Sequence, residues 1–256
     1  MSFSVKLFWN HCGEKSPINI VGETPLFDAI RSNNLDIVEF FLNNGIKLED
    51  NKSRRSNPLK SAVENGDLKM VKFLYLKSVD KNPKTYGETL LHSAAKRGNL
   101  EIFKFLYNNT DEKQPRNDYE ESPLDVAILE NNIEIVKFLA QSGNYDFNKP
   151  SKSGTAPLHY ASGYNRYSWI EHTITNDMVK LILENVENKE PIHSKGNSPL
   201  HYAAKRGNLD IFKILWKEAG DSKTAKNEEN QTPLDIAVDS YSYEIKDFIL
   251  EELSLE

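Results

Sequence analysis

A four-residue motif recurs along the chain at a nearly constant spacing, and this repetition limits the fold more than any other feature. The seven copies are Thr24–Phe27, Asn57–Lys60, Thr89–His92, Ser122–Asp125, Ala156–His159, Ser198–His201 and Thr232–Asp235. Their second residues stand at positions 25, 58, 90, 123, 157, 199 and 233, so five of the six intervals lie within one residue of 33. A fixed period of this length is typical of an array of stacked repeats.

Each copy of the motif predicts the start of a short helix. A Thr, Ser or Asn supplies the capping oxygen in six copies, and proline follows in most of them, where its missing N–H costs nothing. Asn and Gly residues able to adopt the left-handed conformation then end the helix, as at Asn65-Gly66 and Gly98-Asn99. A second helix with apolar residues at helical spacing follows. Neither helix can bury its apolar face alone, so successive helix pairs must stack.

The 33-residue period with Pro-Leu-His at the first helix resembles the ankyrin repeat, and the resemblance covers roughly Asn19 to Leu250. It implies two antiparallel helices per repeat and a projecting loop, with partners bound by the loop tips and the exposed side of the first helix. We therefore expect an all-α ankyrin-repeat solenoid of about seven repeats with degenerate terminal caps. A single domain over residues 1–256 is expected, with repeats starting near 19, 51, 83, 116, 150, 192 and 226.

Two copies depart from the pattern. Leu90 replaces the proline in the third repeat, and Ala156 offers no capping oxygen in the fifth. A missing cap costs about 0.5–2 kcal/mol, so the fifth repeat is predicted to be the weakest joint of the array.

The sequence contains no recognisable catalytic or metal-binding motif. His92, His159 and His201 share one repeat position, but equivalent positions lie one repeat apart, so a structural hydrogen bond is favoured over a shared metal ion or catalytic site. The adjacent pair His11 and Cys12 suits a nucleophilic dyad poorly, because neighbouring residues point in different directions. We therefore expect a protein that is not an enzyme and that needs no cofactor and no metal.

Basic and aromatic residues fall at the positions that the resemblance associates with recognition. The proposed contacts are Arg54, Arg55, Lys96, Arg97, Lys152, Lys195, Lys205 and Arg206, together with Tyr86 and Tyr119 at two equivalent loop tips. We expect this surface to form the concave face of the solenoid and to bind an acidic or phosphorylated protein segment. An ordinary solvated face remains the alternative. Nucleic acid is disfavoured, because the formal net charge of the chain is -6.

The fifth repeat carries about nine extra residues between its two helices, within residues 164–174. Insertions in repeat proteins become surface loops, often on a binding face. Tyr164, Tyr167 and Trp169 are of the types that dominate binding energy at interfaces, so this insertion is a second candidate surface. Its alternative is that Trp169 folds back over the neighbouring helices.

The remaining features bear on location. The chain has a single cysteine, no signal-peptide run and no apolar stretch of membrane-spanning length, which indicates a protein of the cytoplasm or another reducing compartment. We expect it to be a monomer. The tail Glu251–Glu256 resembles the glutamate-rich translocation signals of some bacterial effectors. A second hypothesis is therefore an effector or adaptor that is delivered into a host cell and acts on a host protein through the insertion. A plain helix end is the favoured reading of the tail.

Overall fold

The structure is a computed structural model that describes Ile20 and residues 23–48, 57–165 and 174–255. The chain divides into two compact units, Met1–Asp118 and Tyr119–Glu256. Within the described residues the secondary structure is helical, and the sole β-type pairing is an isolated bridge between Thr85 and Glu88. The expected all-α fold is confirmed.

The first unit contains three helix pairs in its described part. They are α1 (Pro25–Arg31) with α2 (Leu35–Asn43), α3 (Pro58–Asn65) with α4 (Leu68–Lys77), and α5 (Leu90–Arg97) with α6 (Leu100–Asn108). The first helices pack side by side, α1 on α3 and α3 on α5, and α4 packs on α6. Helices α1, α3 and α4 therefore each pack on their own partner and on a helix of the next pair within the unit.

The second unit contains four helix pairs in its described part. They are α7 (Pro123–Leu129) with α8 (Ile133–Ser142), α9 (Pro157–Ala161) with α10 (Asn176–Asn185), α11 (Pro199–Arg206) with α12 (Leu209–Glu218), and α13 (Pro233–Asp239) with α14 (Tyr243–Leu255). A 3₁₀ turn covers Asp221–Lys223. The first helices again pack in sequence, α7 on α9, α9 on α11 and α11 on α13.

Most of the caps expected from the sequence are present, although Thr24 before α1 forms no side-chain cap hydrogen bond. The side chain of Asn57 accepts hydrogen bonds from the N–H groups of Leu59 and Lys60, at 2.8 and 3.2 Å. At α7, Ser122 N–H donates to the carboxylate of Asp125 at 2.8 Å while Asp125 N–H donates to Ser122 Oγ. These reciprocal bonds satisfy donors that the first turn of a helix leaves without partners.

The ends of the first helices follow the same rule in most repeats. The residue eight positions after the second residue of the motif has a positive φ in six of the seven pairs: Asn33, Gly66, Gly98, Asn131, Gly207 and Tyr241. Asn and Gly tolerate this left-handed conformation, whereas an aromatic residue such as Tyr241 adopts it at a cost of about 1–2 kcal/mol. The second helix of each pair can then return antiparallel to the first.

The core of each unit is the layer between the stacked helices. Phe27 and Phe103 in the first unit and Phe212 in the second are fully buried, as are the motif leucines from Leu26 to Leu200. Small residues such as Ala94 and Ala203 are also fully buried on the first helices. Their size allows the backbones of neighbouring repeats to approach closely.

The fifth repeat is the most altered. Helix α9 has five residues, and Ala156 before it has no side-chain acceptor. The N–H of Ala156 instead donates to His159 Nδ1 at 2.9 Å, which retains one of the two bonds of a normal cap. The greater weakness predicted for this joint stays a prediction.

Candidate functional site

The second unit contains an open cleft between the first helices of its last three repeats and the loops before them. We call it the second-unit cleft; its volume is about 680 Å³, within the range of typical ligand sites. Four residues selected from the sequence line it together: Tyr164, Lys195, Lys205 and Arg206. The structure thus brings together three residues of the predicted basic surface and one residue of the insertion.

Arg206 is held in a fixed position at the end of α11. Its Nε–H donates to the carbonyl oxygen of Gly163 at 2.8 Å. A Cβ atom on Gly163 would lie 2.4 Å from Cγ of Arg206, and Gly163 has a φ of +101°. A glycine is therefore needed for the two groups to approach this closely. The guanidinium is oriented by this bond, and its two terminal amino groups form no hydrogen bond to any described residue.

Two lysines add positive charge to the same cleft. Within the described ranges, neither Lys195 nor Lys205 forms an ion pair, and the same holds for Arg206. Lys152 differs, because its ammonium group contacts the carboxylate of Glu120 at 2.9 Å and lies away from the cleft. The cleft therefore presents three cations that no described residue neutralises through an ion pair.

Three rings that line the cleft contact one another and form an aromatic patch. The patch consists of Tyr164, His193 and Tyr202; the ring centroid of Tyr164 lies 5.1 Å from that of Tyr202 and 5.6 Å from that of His193. His193 and Tyr202 meet edge to face at 6.2 Å. Burial and the nearby Tyr164 raise the pKa of Tyr202, so its hydroxyl stays protonated at neutral pH.

The patch includes two residues that the sequence did not single out. They are His193 and Tyr202. The signal for Tyr202 lay in the motif itself, because Tyr160 and Tyr202 follow the motif histidines where the third repeat has Ser93. The contact between Tyr202 and Tyr164 could not be predicted from the sequence, because it depends on how the fifth repeat departs from the common pattern.

The cleft is not uniformly basic. Glu229 and Asp239 also line it, and the carboxylate of Asp239 accepts a hydrogen bond from Gln231 Nε2 at 2.8 Å. The cations outnumber these carboxylates by one. Burial lowers the pKa of His193, and the neighbouring Lys195 lowers it further against an opposing effect of Glu228, so this ring adds no charge at neutral pH.

The motif histidines act structurally, as the sequence favoured. His159 Nε2 lies 3.2 Å from the carbonyl oxygen of Asn197, and His201 Nε2 lies 3.1 Å from that of Gln231. Each ring thereby links its helix to the loop of the next repeat. Burial lowers the pKa of both rings, that of His159 to about 4. No group of three or more His, Cys, Asp or Glu residues able to hold a metal ion occurs in the part of the chain that the structure describes.

The other selected residues are distributed over both units. In the first unit, Tyr86 is 62% exposed in the turn Thr85–Glu88, and Lys96 and Arg97 are exposed in the last turn of α5. In the second unit, Tyr119 is 40% exposed before the turn residue Glu120. Arg54, Arg55, Tyr167 and Trp169 lie outside the described residues, as do His11 and Cys12.

Comparison with known proteins settles the family. The family model for ankyrin repeats (3 copies) matches residues 2–85, 59–151, 91–174 and 170–255, which together span nearly the whole chain. The chain belongs to the ankyrin-repeat family. Its helix pairs are therefore ankyrin repeats, and the second-unit cleft lies on the first helices and loops of three of them.

Individual relatives agree with this assignment. The putative ankyrin repeat protein FPV230 of fowlpox virus is 30% identical over 183 residues, which cover 71% of this chain and 92% of the viral protein. The crystal structure of the ankyrin repeat domain of Bcl-3 superposes with a TM-score of 0.64 at 27% identity and covers 84% of this chain and 94% of that one.

Other relatives are much longer than this chain. The match to the ANK repeat-containing protein nipk-1 of Caenorhabditis elegans is 25% identical over 138 residues, 52% of this chain and 23% of nipk-1. The match to the NAD-dependent deacetylase sir2B of Dictyostelium discoideum covers 26% of that protein. Among the described residues, no helix has both the length and the apolar character needed to cross a membrane.

Proposed function

We propose that the protein is a non-enzymatic binding module that holds an anionic segment of a partner protein in the second-unit cleft. Ankyrin repeats are a general protein–protein interaction module, and the chain consists of them almost throughout. The proposal adds the chemistry of the partner, namely carboxylate or phosphorylated side chains, and the place where they bind.

The observation that carries the proposal is a group of three cations in one cleft, none of which forms an ion pair with a residue that the structure describes. Exposed lysines on a protein surface are common and are usually solvated. Here Lys195 and Lys205 accompany a guanidinium that is already oriented by its bond to Gly163. Orienting Arg206 in advance lowers the entropy lost on binding and leaves its terminal amino groups available for a two-point contact with an oxyanion.

The test compares two charge reversals that change the net charge of the second unit by the same amount. Lys205→Glu with Arg206→Glu alters the cleft, and Lys180→Glu with Lys217→Glu alters exposed positions on α10 and α12 that do not line it. Fluorescence anisotropy would measure binding of two labelled twelve-residue peptides, one rich in glutamate and one carrying a phosphorylated residue.

We expect at least one peptide to bind the native protein and the cleft variant to bind it at least about tenfold more weakly. The control variant should retain most of the affinity, because only long-range charge has changed. Equal weakening in both variants, or no binding of either peptide by the native protein, would contradict the proposal.

The hypothesis of a host-directed effector acting through the insertion stays a prediction. Residues 166–173, which include Tyr167 and Trp169, lie outside the described residues. Tyr164 at the start of the insertion lines the second-unit cleft, so deletion of residues 164–174 would affect both surfaces.

A further inference from the structure

The position of the aromatic patch next to Arg206 narrows the class of partner. We infer that the second-unit cleft recognises a phosphotyrosine side chain of the partner protein, with the phosphate at Arg206 and the phenyl ring on the aromatic patch. This inference rests on the proposed function and specifies the chemistry of its ligand.

The first step is the charge that the cleft can accept. A phosphate monoester carries about -1.5 to -2 at neutral pH on three strong acceptor oxygens. An extended run of glutamates would place some carboxylates near Glu229 or Asp239, which line the same cleft. One compact dianion can neutralise the charges of Arg206 and Lys205 without extending along the cleft to Glu229 and Asp239.

The second step is the connection between the anion site and the rings. Arg206 Nε–H is bonded to the carbonyl of Gly163, and Tyr164 is the next residue in the chain. The ring of Tyr164 contacts Tyr202 and His193, so the aromatic patch begins one residue away from the backbone group that fixes the guanidinium. A ligand bound at Arg206 is therefore bordered by aromatic side chains on this side.

The third step distinguishes tyrosine from serine. In phosphoserine, one methylene group separates the phosphate from the backbone, and nothing in the side chain can cover the rings. In phosphotyrosine, a flat apolar ring separates phosphate and backbone. Contact between two aromatic rings is more favourable than the buried area alone accounts for. His193 is buried, but Tyr164 and Tyr202 are half-buried and line the cleft, so these two rings can contact a further ring.

The experiment uses the full chain and small probes before peptides. Phenyl phosphate, inorganic phosphate and phenol would be titrated while amide chemical shifts of α11 and of residues near Gly163 are followed by NMR. We expect phenyl phosphate to bind about tenfold more tightly than inorganic phosphate, and phenol to cause no shift at Arg206. Equal affinities for the two phosphates would overturn the inference.

Two variants assign the two halves of the ligand. Arg206→Lys keeps the charge but loses the planar fork and the bond to Gly163, so phenyl phosphate should bind about tenfold more weakly. Tyr164→Leu should reduce the affinity for phenyl phosphate to that for inorganic phosphate. Arg31→Lys, at the last residue of α1 in the first unit, is the control and should change neither value. An unchanged affinity in Arg206→Lys would overturn the inference.

Matched peptides then separate this inference from the proposed function. A phosphotyrosine peptide should bind about tenfold more tightly than the same peptide with phosphoserine. If the two bind equally and both depend on Lys205 and Arg206, the inference fails while the proposed function stands. If neither these peptides nor the glutamate-rich peptide binds, both fail.

Discussion

At the scale of single residues, a buried histidine makes the stability of the ankyrin repeats depend on pH. His159 is fully buried, and its two ring nitrogens are used, one by the N–H of Ala156 and one by the carbonyl of Asn197. Burial is the main cause of its low pKa of about 4, and the nearby His193 lowers it further. The folded protein therefore holds this ring neutral at a pH where the unfolded chain would protonate it.

We predict that the protein loses stability on moderate acidification. Between the unfolded pKa near 6.5 and the folded pKa of about 4, the unfolded state binds a proton that the folded state does not. The free energy of unfolding is thus greatest above pH 6.5 and decreases toward pH 4, by up to about 3 kcal/mol from this one group. His193 and His201, whose pKa values are also lowered, act in the same direction. Urea unfolding at pH 8 and pH 5 measures the change.

His159→Asn is the control for this assignment. Its side-chain oxygen can accept the N–H of Ala156 as Asp125 accepts that of Ser122, but it cannot titrate. The variant should be less stable at pH 8, because the link to Asn197 is lost, and should lose less stability between pH 8 and pH 5. A variant with the full pH dependence of the native protein would show that His159 is not responsible.

At the scale of elements, the caps at the first helices explain why the sequence motif and the helix starts coincide. At Ser198 both the N–H and the hydroxyl reach His201 Nδ1, at 3.1 and 2.8 Å. At Ala156 the N–H alone reaches the equivalent His159. The fifth repeat therefore lacks one bond that the sixth repeat has at the same place.

Ala156→Ser is expected to restore this bond. The hydroxyl has His159 Nδ1 as its partner, and a capping Ser instead of Ala contributes about 1 kcal/mol. The reverse change, Ser198→Ala, should destabilise the protein by a similar amount. Thermal and urea unfolding of the two variants beside the native protein would measure both, and a destabilised Ala156→Ser would mean that the buried site has no room for the oxygen.

At the scale of the whole molecule, the periodic part of the structure could be predicted and the irregular part could not. The period fixed the helix pairs, the caps and the turn residues, because these depend on local bonds within about ten residues. The bond from Arg206 to Gly163 spans 43 residues and exists because the fifth repeat has a glycine there. The second-unit cleft and its aromatic patch depend on such differences between repeats, which a pattern common to all repeats does not contain.

The prediction of a single domain over residues 1–256 can be tested by its cooperativity. The interval from position 90 to position 123 is 33 residues, so the repeat period continues through the boundary between the two compact units. In a repeat array, coupling between neighbours joins the unfolding of distant repeats. Hydrogen exchange would follow α5 in the first unit and α11 in the second, in the native protein and in Ser198→Ala. If the chain unfolds as one domain, a loss of about 1 kcal/mol makes the most protected amides of both helices exchange about fivefold faster. Faster exchange confined to α11 would show two independently unfolding units, and Lys180→Ala should alter neither helix.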